Sequence, residues 1–256
     1  MSESEYLVLP ANSSPKTYPD NANNSYKVKL PRRLTLQSGE WEIALRSVHY
    51  RDNWKTVTNG VITVVRQSPS GTNRSYECRV KSGRYYDPWS LLVEMRVALN
   101  GNQTTKGKVV LHYDETLDGL TMAFANGQWS ASFSEELAHI WGLKSGEFYG
   151  SASGVKRSGV PADPFAGYEF MYVYCSLVRP RVVGHSLVPL LMEVPVETPG
   201  KLVKRVNVTP ALPQYVPVEN GDTDEIEIDI RRGDGEPFLF ESGVVSVTVE
   251  LRRRRA

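Results

Sequence analysis

The amino-acid sequence predicts an all-β fold, a β-sandwich carrying a small inserted α/β subdomain. Three observations predict it. Near the C-terminal end two segments alternate strictly: Ile226, Ile228 and Ile230 with Glu225, Glu227 and Asp229, then Val245, Val247, Val249 and Leu251 with Ser246, Thr248, Glu250 and Arg252. Period-two alternation puts one set of side chains on each face of a strand, so both segments bury an aliphatic face and turn a polar one to water. Elsewhere the chain reads as many short strands divided by Gly- and Pro-rich turns, with few helices. Only around residues 84–145 does the period become helical.

Taken in order, residues 1–25 are rich in Asn, Ser and Pro and read as a polar arm, loose or ordered by a neighbour. Tyr26 to Pro31 is a short strand that its proline ends. In the next strand Trp41, Ile43 and Leu45 share a face, and after Ser47 the apolar positions move to Val48 and Tyr50. That change of phase within one run predicts a bulge or a strand passing between packing environments. Val61 to Arg66 and Tyr76 to Val80 follow as shorter strands. Asp87 is placed to cap a helix with Pro88 at its first position and Leu91, Leu92, Met95, Ala98 and Leu99 on one face. Two strands, Lys108 to Tyr113 and Leu120 to Phe124, precede a second helix from Ser134 to Trp141, acidic in its first turn and stopped by Gly142. Residues 146–167, heavy in Gly, Ser and Pro, form an exposed loop.

Strands resume at Tyr168 to Val178, apolar on both faces as in the middle of a sheet, then at Leu187 to Val196 and Leu202 to Val208. A proline-bearing stretch through Pro210, Pro213 and Pro217 runs along the surface. The link from Arg231 to Gly243 is too long for a tight hairpin and carries Pro237, Phe238, Leu239 and Phe240, so it crosses from one sheet to the other. The expected division is an arm (1–25), a sandwich (26–83 and 166–256) and an insertion with its trailing loop (84–165).

Composition narrows the function classes. With 30 Lys and Arg against 29 Asp and Glu, the net charge is +1, and no global field draws the protein to nucleic acid or anionic lipid. The acidic start leads into no apolar stretch of signal-peptide length, and no run reaches the roughly 18 apolar residues of a membrane span. The expectation is a soluble protein made in the cytosol, with no membrane partner. Cys78 and Cys175 sit in strand-like surroundings, as reduced buried thiols do.

No catalytic centre or cofactor site is expected. Gly184-His185-Ser186-Leu187-Val188 begins like a nucleophile elbow, but Val188 replaces the closing glycine and Pro189 follows, so the strand-to-helix turn is missing. Gly101 to Lys108 resembles a phosphate loop with glycines one residue too far apart and Val109 where a magnesium-binding hydroxyl belongs. His49, His112, His139 and His185 are scattered, without the pairings that hold a metal. Asp222, Asp224, Glu225, Glu227 and Asp229 offer calcium-type oxygens but lack a glycine-turned ligand loop, and read as a solvated strand face. Two interaction candidates remain. Arg232-Gly233-Asp234 is the tripeptide that integrins read, placed in a turn that its glycines also explain, and a receptor role requires Asp234→Glu to change cell attachment. Arg252, Arg253, Arg254 and Arg255 could touch phosphates in a salt-dependent way or simply solubilise a strand end.

Three stretches resemble a known family: Leu30-Pro31 with Gly39 to Leu45, then Val173 to Cys175 through Arg181 to Leu191, and finally Asp224 to Arg231 leading to Val247 to Arg253. Together they are similar to the penton (minor capsid) proteins of Polinton/Maverick elements and adintoviruses, in order and from end to end. The resemblance implies a single jelly-roll of two four-stranded sheets and a non-enzymatic role. It implies homopentamers at the five-fold vertices of an icosahedral capsid, beside a major capsid protein, in a virion assembled after synthesis in the host cytosol, with assembly in the nucleus as one route. A cell-surface receptor is a further partner to test. The competing reading is a lectin-like carbohydrate- or receptor-binding sandwich in which Trp89, Trp129 or Tyr85-Tyr86 stack on sugars.

Overall fold

The computed structural model of the chain describes residues 4–37, 39–68, 71–125, 128–150, 156–158, 160–197, 200–219 and 221–254, with 156 and 157 described by backbone alone. In chain order it opens with β1 (Ser4–Pro10), β2 (Ser25–Leu36) and β3 (Trp41–Arg51). There follow β4 (Val61–Arg66), β5 (Arg74–Arg79), α1 (Pro88–Gly101), β6 (Val109–Asp114), β7 (Gly119–Phe124), β8 (Trp129–Phe133), α2 (Glu135–Ile140), β9 (Tyr149–Gly150) and β10 (Lys156–Arg157). The chain closes with β11 (Phe170–Cys175), β12 (Arg181–Val183), β13 (Ser186–Val188), β14 (Leu190–Pro195), β15 (Arg205–Val208), β16 (Val216–Pro217), β17 (Gly221–Arg231) and β18 (Ser246–Arg253). Contacts divide it into two compact units, Met1–Trp54 with Gly167–Ala256, and Lys55–Ala166.

The first unit is a jelly-roll. One sheet runs β1-β18-β3-β15, with β16 added beside β3, and the other runs β14-β11-β17-β2, every pairing antiparallel. Among the eight long strands the first pairs with the last and the second with the last but one, and only the step from β11 to β14 stays within a sheet. Each remaining connection crosses, which is the double Greek-key winding of this fold. Alternation supplies the interior. Ile43, Leu45, Val48, Val247, Val249 and Leu251 are buried from the first sheet, and Met171, Val173, Val194, Ile226, Ile228 and Ile230 from the second. The Tyr26 phenol on β2 donates to the Leu9 carbonyl on β1 at 2.9 Å, tying one sheet to the other.

The expected phase change in β3 is a bulge: Thr248 pairs with Ser47 and Val249 with Leu45, leaving Arg46 as the extra residue. The link after β17 does cross to the other sheet. Its Phe238 is fully buried against Trp54, at 4.9 Å between ring centroids, and Tyr168, at 5.3 Å.

The second unit has its own core. Its strands form a four-stranded sheet, β5-β4-β8-β9, and a three-stranded one, β10-β7-β6. Helix α1 begins as its sequence dictates, with the Asp87 carboxylate accepting from the Ser90 amide at 2.6 Å and Leu91, Leu92, Met95 and Leu99 buried. Buried Trp141 donates its indole N–H to the Met95 sulfur at 3.0 Å. Gly142, at φ +60°, reverses the chain after α2 in the left-handed region that suits glycine.

Two expectations need correction. The boundary falls after Trp54 and not at residue 84, because β4 pairs with β5 and β8 inside the second unit. Alternation tells which face of a strand is buried but says nothing of the strand's partner. The 1–25 segment is not simply a polar arm, since Ser4–Pro10 pairs with β18 along its whole length and Leu9 is buried. Averaging over many polar residues hid the run Tyr6-Leu7-Val8-Leu9. A strand that alternation did not reveal, Trp129–Phe133, has all five residues buried, its serines disguising a central position.

Candidate functional site

The acidic row on β17 stands on the outer face of the second sheet. Opposite it β2 places lysines: Lys29 Nζ lies 2.6 Å from Asp224, and Lys27 Nζ lies 3.7 Å from Glu225 and 3.5 Å from Glu227. Asp229 is bound by Arg231 Nε at 2.6 Å. The Lys29 ammonium holds the Asp224 carboxyl below its ordinary pKa. The Tyr18 phenol donates to Glu225 at 2.7 Å, which pushes its own pKa up to about 12. Cations thus answer four of the five carboxylates, three from across the strand pair and one, through Arg231, from β17 itself. Among the described residues no group of three or more His, Cys, Asp or Glu is arranged to hold a metal ion.

A cleft of about 800 Å³ opens on the same face. Its floor carries Tyr172 and Tyr174, outward neighbours on β11, beside Glu227, Asp229 and Arg231 of β17. Its roof is the β12–β13 hairpin, which turns on Gly184 (φ +58°) and His185 between paired Val183 and Ser186. The nucleophile-elbow look-alike is therefore the tip of a hairpin. Among the described residues Ser186 has no hydrogen bond to a histidine, and all four histidines are exposed. Burial drives the Cys175 thiol up to about 12, away from nucleophilic use, and Cys78 is likewise buried and unpaired.

Arg232-Gly233-Asp234 forms the end wall of this cleft. Arg232 Nη2 lies 2.8 Å from Asp234, its guanidinium stacks 4.9 Å from the Tyr168 ring centroid, and its side chain is 20% exposed. The turn is closed by Gly235 N–H donating to the Arg232 carbonyl at 3.0 Å and Arg232 N–H to the Glu236 carbonyl at 2.8 Å. A receptor that reads both charges must first separate them.

The arginine run is split by the strand that carries it. Arg252 Nε binds Glu42 at 2.6 Å and its guanidinium lies 3.2 Å from the Tyr215 ring centroid, while Arg253 stacks 5.6 Å from Trp41. The Arg254 amide donates to the Glu40 carbonyl at 2.7 Å, and Arg255 lies outside the described residues. Of the aromatics considered for sugar stacking, Trp129 and Tyr85 are core and Trp89 is 43% exposed. Sequence reasoning missed the cleft. Its signal was the Tyr172/Tyr174 pair on one face of β11, read there only as the second apolar face of a central strand.

No protein-family model and no curated protein matches the chain by sequence. By structure it is similar to the mavirus penton protein, known from a crystal structure of its selenomethionine form: TM-score 0.53 and 8% identity, over 98% of this chain and 100% of that one. At such identity the likeness speaks to the path of the chain, and that path agrees with the sheet order described above. The chain therefore has a penton-like, single jelly-roll fold.

Proposed function

We propose that the protein is a structural capsid subunit, a penton that assembles into homopentamers at five-fold vertices and sits in the virion shell against a major capsid protein. The observation that carries this reading is the end-to-end fold likeness to a viral penton protein, which extends over nearly the whole of both chains. Physical features agree with it. A jelly-roll leaves open strand edges and loops at both ends, and five copies can close a ring only through heterologous contacts, one surface meeting a different one on the neighbour. The test is the solution mass by light scattering behind size exclusion, run at high protein concentration, with particle images alongside. A species at five times the 28.7 kDa chain mass with five-fold symmetry is the expected result. A monomer or dimer at every concentration would overturn the proposal.

A further inference from the structure

The cleft above the second sheet has a chemistry that capsid assembly does not call on. Its charged groups are neutralised in pairs: Asp229 with Arg231 at 2.6 Å, Asp234 with Arg232 at 2.8 Å, and Glu227 with Lys27 at 3.5 Å. Arg231 is held further by donating to the Gly235 carbonyl at 3.1 Å. A cationic ligand would have to displace these guanidinium groups, and an anionic one would meet three carboxylates. Either substitution costs the interaction that the present pair already makes. A neutral ligand disturbs none of them.

What remains free is hydroxyl chemistry on an aromatic floor. Tyr172 and Tyr174 stand on one face of β11, about 7 Å apart along the strand. Neither phenol has a hydrogen-bond partner among the described residues, nor does the Ser186 hydroxyl on the roof. The paired carboxylates each keep an oxygen for accepting a further hydrogen bond. Unmatched hydroxyls, acceptors fixed by ion pairs and flat aromatic surface in a cleft of about 800 Å³ suit a ligand that is neutral, rich in hydroxyls and apolar on one ring face.

We infer that this cleft binds a neutral hexopyranose, free or at the end of a glycan, with Tyr172 and Tyr174 against the sugar's C–H face and Ser186, Glu227 and Asp229 taking its hydroxyls. Acidic sugars are disfavoured because their carboxylate would have to compete with Glu227, Asp229 and Asp234 for the cations that already hold them. The site lies within one jelly-roll and needs no second subunit, so its fate is separate from that of the pentamer.

The test is saturation-transfer NMR on the full chain with methyl glucoside, galactoside and mannoside and with N-acetylneuraminic acid, followed by arrays of neutral and sialylated glycans to distinguish free sugar from glycan ends. The expected result is enhancement of ring protons for at least one neutral hexoside and little for the acidic sugar. Tyr174→Ala should weaken that binding about tenfold or more, the loss of one aromatic and one hydroxyl contact. Should Tyr174→Ala fail to fold, Ser186→Trp on the exposed hairpin crowds the cleft while leaving every residue of the sheet unchanged and should weaken the signal about tenfold or more. No enhancement with any neutral probe, a preference for N-acetylneuraminic acid, or undiminished binding by Ser186→Trp would each overturn the inference.

Discussion

Phe238→Ala is the sharpest test of the jelly-roll core. Phe238 is completely buried in the crossing link between β17 and β18, T-shaped against Trp54 and perpendicular to Tyr168, with Phe240 at 5.0 Å. The link is anchored at the same point by the Phe238 amide donating to the Ile230 carbonyl at 3.1 Å. Truncation leaves a cavity that three surrounding rings cannot fill without leaving their own contacts. A buried phenylalanine truncated in this way costs about 3–5 kcal/mol, and tight aromatic pairing places this site near the top of that range. The neighbour Leu239 is the internal control. It points outward at 43% exposure, so Leu239→Ala should cost less than about 1 kcal/mol. Denaturant unfolding gives the two differences. Amide exchange then locates them: peptides spanning β17 and β18 should lose protection by about a hundredfold or more in Phe238→Ala. Equal costs for the two variants, or a Phe238→Ala cost under about 1 kcal/mol, would refute the view that this link is pinned by its phenylalanine.

Other consequences are open to measurement. Asp87→Ala should destabilise the second unit by about 1 kcal/mol, with Asp87→Asn retaining most of the cap, since only a side-chain acceptor for the Ser90 amide is required; an unaffected Asp87→Ala protein would show the cap to be idle. Lys29 lowers the Asp224 pKa, so the pair's contribution is present above the unfolded carboxyl value of 3.8 and is lost as pH falls through the lower folded value. Lys29→Ala should therefore move the Asp224 carboxyl titration upward by NMR, and an unmoved titration would point to a different cause. Replacing residues 55–166 by a short glycine-rich linker should leave a soluble β-protein with one cooperative unfolding transition, because the first unit holds its own core. Loss of amide protection in β3 and β11 of that shortened protein would contradict it.

How far the sequence could be read depends on which interactions are local. The face of β17 and β18 that is buried, the bulge at Arg46 and the cap of α1 are all legible, because each follows from residues a few positions apart. Partnership is not. Nothing in Ser4–Pro10 announces that its mate is Arg252 through Ser246, and nothing in Val61–Arg66 announces Phe133 through Trp129. The same holds for the cleft. Its floor comes from β11 and β17, its roof from a hairpin between them in sequence, and its end wall from a turn some sixty residues after the floor begins. Arg232-Gly233-Asp234 was visible as letters, but that its two charges neutralise each other over Tyr168 is a fact of three dimensions.

The nesting of the strands explains why so large a unit can interrupt this fold. Because β1 and β2 pair with β18 and β17, the sheets are closed by the two ends of the chain, and the middle of the sequence bears no part of that closure. The interruption falls between β3 and β11, strands of different sheets whose connection crosses between the layers. On the jelly-roll side the boundary lies at Trp54 and Gly167, and the rings of Trp54 and the adjoining Tyr168 stack at 6.0 Å with 18° between planes, with Phe238 packed against both. An aromatic clasp thus fixes the point where the chain leaves the sandwich to the point where it returns. Loop-closure entropy rises only with the logarithm of the length between such points, so residues added there weigh little on the sandwich so long as they bury a core of their own. The second unit does so with Leu91, Leu92, Met95 and Trp141. Its identity is free to vary in a way that Trp54, Tyr168 and Phe238 are not.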